Sequence, residues 1–448
     1  MKRYAFLTAD GHFLPLAFHM EQAGHDVYVG MIQSWDEVKM HRNEDEYDRE
    51  RRLSLYDGML KNRMTASKLV QKLEQQSPKD WFVFCDFNYF WGYADRLRKK
   101  GYRGLLPNKG DGRLEKDRDY AKTFVKQNYS EVEVARHQEF KTVQDAMKFL
   151  DKHSENLYVL KGNSDECPTV VPSRDDPAIN RELIVDSLER FSKWYEKEGF
   201  SLEEKIPDII EFTPEAYGYD GELIGVSVDI EAKHLGSRGG PIEGCAASLV
   251  LWQEINDSPI YEMFLEPIAH LMLRPREFTI WDMSVYWSPS RKAYYFGEFC
   301  SNRPGYDCVF AEIATCGGVE KWIEKIESGE KFGGDKPVGV SLRIFNKQRI
   351  DQKKGWQEML IGDPNDPNVF LWDVRSENGK LYTIGYDSNT YVVSAAGDTP
   401  EKAIDQLYKN DEHVVFDSGY SLEKHDWMDK EFPENILHRY EILKELEL

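Results

Sequence analysis

No apolar run in this chain approaches the ~18 residues that a membrane-spanning helix requires, so neither a helical span nor a membrane partner is expected. The opening stretch MKRYAFLTADGHF lacks the charged, apolar and small-residue order of a secretory signal, so the chain is expected in the cytoplasm. Cysteine is scarce: Cys85, Cys167, Cys245, Cys300, Cys308 and Cys316 are scattered without a C-x-x-C pair. Neither a zinc ribbon nor a disulfide framework is expected, and these residues read as reduced thiols, mostly in the core. Positive charge is also short, with 58 Lys and Arg against 79 Asp and Glu and a net charge of -21. Such a balance repels a phosphate backbone, so duplex nucleic acid is not an expected partner. A nucleotide-like ligand would have to be met by a few converging Lys, Arg and backbone N–H groups. Internal repeats and low-complexity tracts are absent as well.

What is present is enough to fold. Hydrophobic residues make up 41% and aromatics 13% of 448 residues, and at ~150 residues per domain about three domains are expected. The segments RYAFLTA, LPLAFHMEQAG and DVYVGMI follow one another as strand, helix and strand, and WFVFCDF with GYADRLRKKG begins a second such unit. This alternation is the pattern of a parallel sheet. The charged span from about Ser34 to Lys79 is expected to be helical or partly mobile. From Gly112 onward the pattern predicts an amphipathic helix over LEKDRDYAKTFVKQN and strands at EVARHQEF and NLYVLKG. It also predicts one long helix over RELIVDSLERFSKWYEKEG. IPDIIEF, ELIGVSVDI, EFTIWDMSVYW and KAYYFGEFC read as antiparallel strands joined by short loops. A last segment runs from VGVSLRIF to the helix TPEKAIDQLYKN.

Several strings carry more than element order. The run VFCDFNYFWGYADRLRKKGYRGLLPNKGDGRLEKDRDYAKTFVKQN, the loop HLGSRGGPIEGCAAS after Lys233, the strand YYFGEFCSNRPG and the closing YVVSAAGDTPEKAIDQLYKN occur in this order. Together they resemble the phosphoribosylamine-glycine ligase family of ATP-grasp enzymes over about residues 1–425. The resemblance implies a multidomain α/β and α+β chain with the ATP-grasp fold. Its expected parts are an N-terminal parallel-sheet domain over 1–112, an ATP-grasp domain over 113–334 with a lid at about 125–206, and a C-terminal α+β domain and tail over 335–448. It also implies a monomer or homodimer that uses ATP with magnesium, or alternatively manganese, to join a small amino acid to an amine through an acyl phosphate.

Phosphoryl transfer depends on positioned cations more than on a protein nucleophile, because charge on the moving oxygens must be neutralised. By the resemblance, Lys161 at the end of LYVLKGN contacts nucleotide phosphate and serves catalysis, and Arg118 stands where the family has its first lysine. Glu211 and Phe212 of IPDIIEFTPEAYG are placed at the purine, Glu215 at the ribose hydroxyls and Lys233 at the nucleotide. Asp282, Glu298 and Asn302 are the implied metal ligands, of the oxygen type magnesium prefers. A salt bridge from Glu298 to Arg303 or Arg291 would use the same carboxylate. Arg238, Gly239, Gly240 and Gly244 are implied at the acceptor substrate, and Arg303 at both substrate and catalysis.

The sequence also departs from the family. GNSDECPTVV replaces a glycine-rich lid loop and brings Asp165 and Glu166 near the place of phosphate, and Cys300 stands where an asparagine is expected. The Asp-Pro-Glu after the arginine is missing, and only DGHFLPLA stands for a glycine-rich N-terminal string. Two readings follow: a ligase with an altered substrate, or a nucleotide-binding pseudo-ligase with a structural or regulatory role.

Overall fold

Tyr4 to Thr8 lie almost wholly buried in the first strand, β1 (Arg3–Thr8), because a strand of a parallel sheet is covered on both faces and has no place for alternating polar residues. In this computed structural model β1 is followed by α1 (Leu14–Gln22), β2 (Asp26–Met31), α2 (Glu46–Ser54), β3 (Arg63–Thr65), α3 (Ala66–Glu74), β4 (Trp81–Cys85), α4 (Trp91–Lys99) and β5 (Arg103–Leu105). Parallel pairing joins β3 to β2, β2 to β1, β1 to β4 and β4 to β5. The residues described are 2–40, 44–163, 168–172, 175–234, 242–256, 258–302, 306–346, 357–359, 363–386, 389–411, 419–427 and 435–448.

Local chemistry explains these elements. Thr65 caps α3 by accepting the N–H of Lys68 at 3.2 Å, and Ala66, Leu69, Val70 and Leu73 form its buried stripe. At Gly104, φ is +140°, and a Cβ would lie 1.9 Å from the Val83 carbonyl oxygen, so only glycine lets β5 approach β4. The charged span 34–79 holds helices, as expected, but also the edge strand β3, registered from Val29 opposite Arg63 to Met31 opposite Thr65. Arg63, Met64 and Thr65 are too few to carry a periodicity, and that strand exists because β2 offers an open edge.

Two compact units divide the chain, the first comprising Met1–Gly112, Phe212–Met283 and Cys300–Leu448, and the second Arg113–Glu211 and Ser284–Phe299. The second unit opens with α5 (Arg113–Lys116) and α6 (Arg118–Asn128). It continues through β6 (Val132–Glu133), β7 (His137–Phe140), α7 (Val143–Lys152), β8 (Tyr158–Gly162), α8 (Pro177–Arg190), α9 (Ser192–Glu198) and β9 (Phe200–Glu204). β9 lies between β7 and β8, antiparallel to both. One long helix was expected over residues 181–199. Instead the chain leaves helical geometry at Phe191 (φ -111°, ψ 19°), and its ring packs on the core that Ile184, Leu188 and Tyr195 share with Phe200 and Leu202. Strand period then puts Phe140, Leu160, Phe200 and Leu202 toward that core, and His137, Glu139, Lys161, Ser201 and Glu203 on the opposite face.

The first unit resumes with β10 (Ile210–Tyr219), β11 (Glu222–His234), β12 (Ile242–Trp252), α10 (Ala269–Met272), β13 (Phe278–Ser288), β14 (Ala293–Ser301), α11 (Tyr306–Cys316), α12 (Val319–Ser328) and β15 (Val338–Asn346). Some of these strands run on into the second unit. After them come β16 (Gln357–Met359), β17 (Val369–Leu371), β18 (Val374–Glu377), β19 (Lys380–Thr383), β20 (Asn389–Gly397) and α13 (Pro400–Asp411). The main sheet has the order β17-β20-β15-β12-β11-β10-β13-β5-β4-β1-β2-β3, antiparallel at its β17 end and parallel at its β3 end. Asp220 and Gly221, both with positive φ, make the tight turn between β10 and β11. Multiple domains of mixed α/β and α+β character are thus observed. No helix among the described residues is long and apolar enough to cross a membrane. Of the described cysteines, Cys85, Cys245, Cys308 and Cys316 are buried thiols.

Candidate functional site

In the second unit the basic candidates stand on the polar face of the β7–β9–β8 sheet. Lys161, near the end of β8, reaches Glu203 of β9 with Nζ 2.9 Å from Oε2. Lys122 of α6, which sequence reasoning passed over, makes a buried ion pair with the other carboxylate oxygen. Burial pushes the Glu203 carboxyl up, but the Lys161 and Lys122 ammonium groups outweigh it and hold it down at about 2. Burial lowers the pKa of Lys122, against the raising pull of Glu203. Glu139, on the same face, also acts on Lys122, so the two ammonium groups are shared between two carboxylates. Arg118 lies one turn before Lys122 on α6, half-exposed and on the same helix face by its i, i+4 spacing. The missed signal was the lysine spacing of LEKDRDYAKTFVK, where Lys122 alone falls on the buried stripe with Ala121 and Val125.

Also in this unit, Glu211 accepts a hydrogen bond from the Ser284 hydroxyl at 2.8 Å. Glu298 is exposed on β14 and makes no ion pair or hydrogen bond with the described residues. Arg291, one of the two partners considered for it, pairs with Glu204 at 2.6 Å.

The first unit presents the opposite electrostatics. Phe212 is 1% exposed, its ring edge-on to Phe264, so only its backbone is available to a purine. Glu215 is equally buried, accepting the Cys308 thiol at 3.3 Å, and burial pushes its carboxyl up to about 7. Glu312 of α11 accepts from the hydroxyls of Tyr217 and of Ser227, the latter at 2.8 Å. Burial and then the charge of Glu215 drive the Glu312 carboxyl well above the ordinary range. Cys308 is raised too, first by burial and then by the charges of Glu215, Asp229, Asp282 and Glu231. Asp282 of β13 therefore belongs to an acidic group on the sheet that includes Asp229 and Glu231 of β11, neither of which the motifs singled out. Ser248 donates to Asp229 at 3.2 Å.

Asn302 is buried with φ 48°. Its amide donates to Asp111 at 2.7 Å, its backbone N–H to the Ile280 carbonyl at 2.6 Å, and its side-chain oxygen accepts the Ile280 N–H at 3.4 Å. Asp111 is itself gripped by Arg274 at 2.6 and 3.0 Å. Asn302 thus anchors a polar network. Near the DGHFLPLA string, Asp86 accepts the Ala9 N–H at 3.1 Å and the Thr8 hydroxyl, which orders the end of β1. Lys233 lies half-exposed on β11, and Gly244 lies in β12. Arg238, Gly239, Gly240 and Arg303, like Asp165 and Glu166, fall outside the described residues.

No protein-family model matches the chain, and no curated protein matches it in sequence. Solved structures do match it. Phosphoribosylamine-glycine ligase from Thermotoga maritima aligns with a TM-score of 0.61 at 15% identity, over 94% of this chain and 99% of its own. The biotin carboxylase domain dimer of 2-oxoglutarate carboxylase from Hydrogenobacter thermophilus, in complex with magnesium ADP, ADP and bicarbonate, gives 0.62 at 13% identity over 99% and 98%. The β,γ-ATP complex of biotin carboxylase from Campylobacter jejuni gives 0.62 at 11% identity, covering 98% of each chain. The chain has the ATP-grasp fold of these structures, its N-terminal parallel strands included. At such identities the likeness carries the fold, and the chemistry has to be argued from the side chains.

Proposed function

We propose that this chain is an ATP-dependent carboxylate–amine ligase, joining a small amino acid to an amine-bearing sugar phosphate, nucleotide or related acceptor. The observation that supports it most is the pairing of Lys161 and Lys122 on Glu203 within a chain of this fold. In the proposed sequence a substrate carboxylate oxygen attacks the γ-phosphorus of ATP, the bond to the bridging oxygen breaks, and ADP leaves. The amine nitrogen then attacks the acyl carbon, the C–O bond to phosphate breaks, and the nitrogen gives up a proton.

In this scheme Lys161 and Arg118 meet phosphate oxygens, and Glu203 orients the Lys161 ammonium, so its position is set before the ligand arrives. Lys122 shares Glu203 and keeps that carboxylate ionised. Magnesium or manganese, when bound, neutralises charge on the phosphate oxygens. Asp282, Glu298 and Asn302 are assigned to it as oxygen donors. Glu211 and the Phe212 backbone are assigned to the purine, Glu215 to the ribose side and Lys233 to the nucleotide. Arg238, Gly239, Gly240, Gly244 and Arg303 are assigned to the acceptor. Screening ADP release with amino acids against a panel of phosphorylated amines tests the proposal.

A second reading, a nucleotide-binding module without turnover, is favoured by one observation. Glu203 already neutralises one of the two lysines and leaves less charge for a transferring phosphoryl group. ATP with magnesium raises the melting temperature under both readings, because a ligand bound only to the native state stabilises it. ADP release in any pairing supports the ligase, a shift without release supports the module, and the absence of both removes the nucleotide site.

A further inference from the structure

Asp119, His137 and Glu139, all in the second unit, bring one nitrogen and two carboxylate ligand atoms within 4.8 Å of one another. His137 and Glu139 lie two residues apart on β7 and so share its polar face, while Asp119 lies in the first turn of α6. From this geometry we propose that the three side chains bind a divalent transition-metal ion, distinct from the cation of the nucleotide.

Three observations carry the assignment. First, the His137 Nδ1 lies 3.2 Å from the Ala135 carbonyl oxygen, which can only accept. The ring proton is therefore held at Nδ1, and the Nε2 lone pair is presented toward Asp119. Fixing one ring nitrogen on a carbonyl so that the other can ligate is how metal-binding histidines are oriented. Second, Nε2 lies 3.5 Å from Asp119 Oδ1. That is long for a hydrogen bond, yet it is the separation of two donors each ~2.1 Å from a shared ion at a near-tetrahedral angle. Third, two polar atoms of this face are buried without a partner: one Glu139 carboxylate oxygen and the hydroxyl of Ser201. Ser201 is wholly buried and sits opposite Glu139 in the β7–β9 register. Buried polar atoms in native proteins find partners, and an ion with its bound water would supply them here.

The donor set decides the class of ion. One imidazole and two carboxylates without a thiolate suit zinc, cobalt or manganese, and three protein ligands leave a position for water. A bound ion ties the first turn of α6 to β7. Because His137 lies opposite Glu203 in register, the tie acts on the helix and strand that hold the Lys122 pair.

Cobalt(II) is the probe, titrated into the full chain without nucleotide and followed by its visible absorption. The expected result is a single saturable equivalent with a nitrogen and oxygen spectrum, and a rise in melting temperature with zinc. His137→Gln and Asp119→Asn are expected to weaken binding about tenfold or more and to lose the thermal gain. The Asp119 side chain is 70% exposed, so Asp119→Asn without metal should melt like the parent and separates lost ligation from lost folding. Glu298→Gln, which removes a carboxylate proposed for magnesium, should bind cobalt as the parent does. The proposal is overturned by absence of cobalt binding, by unchanged binding in both variants, by a thiolate charge-transfer band, or by loss of binding in Glu298→Gln.

Discussion

The two units answer the burial of charge in opposite ways. In the second, Glu203 is buried with two lysines and held at about 2, so a charged cluster stays charged. In the first, Glu215 and Glu312 are buried without a cation among the described pairs, and both are driven upward, Glu215 to about 7. Burial alone does not set the state of a carboxylate; its partner does. One unit therefore keeps a buried carboxylate ionised between two ammonium groups, and the other favours the neutral form of its buried carboxyls.

The largest expected effect breaks the functional side of that contrast. Under the proposed function, Lys161→Ala, or Glu298→Gln, should lower ATP turnover by about a hundredfold or more, since each removes a charge assigned there to phosphoryl transfer. Lys161→Ala should also abolish most of the thermal shift produced by ATP with magnesium, whereas the exposed Lys409→Ala should leave it intact. Equal shifts in the two lysine variants would take Lys161 out of the site.

Next in size is stability. Lys122→Met is expected to cost on the order of 3 kcal/mol, measured by urea unfolding, because it strips a buried carboxylate of one of its two cations. Adding Glu203→Gln should restore much of that loss, and a double variant no more stable than Lys122→Met would contradict the pairing.

The pH dependence separates the units more finely. Glu203 is lowered from about 4.5 to about 2, so its stabilising contribution is present above pH ~4.5 and lost as pH falls toward 2. Glu215 is raised from about 4.5 to about 7, so its contribution is full below pH ~4.5 and lost as pH rises through 7. Glu203→Gln should flatten the acid limb and Glu215→Gln the limb between pH 4.5 and 7. Exchanged behaviour would reverse the assignment of the two environments. The smallest effect belongs to a partly exposed pair of the second unit: Arg291→Ala, which frees Glu204, should change stability by ~0.5 kcal/mol or less.

Much of the fold was legible because its signals are local. Continuous apolar runs marked β1 and β4, and the spacing of Ala66, Leu69, Val70 and Leu73 marked the face of α3. The break at Phe191 and the strand at Arg63–Thr65 were not legible, since each depends on a surface offered from elsewhere in the chain. At the candidate site the motifs pointed to Lys161, Glu215 and Asp282, but not to Lys122, Glu203, Asp229 or Glu231. A lone lysine on a helix or a lone acid on a strand looks like any solvated residue until its neighbours are known.

The order of elements, the acidic balance, the glycine and turn positions and the place of Lys161 at a strand end were determined by the sequence itself, through periodicity and residue type acting over a few positions. Only the tertiary structure decided which charges are buried and with whom. Lys122 meets Glu203 across 81 residues, Asn302 meets Asp111 across 191, and Cys308 meets Glu215 across 93. Those pairings set the protonation of each group, because the energy of a buried charge depends on the groups packed within a few ångströms of it, which strand register and helix docking select.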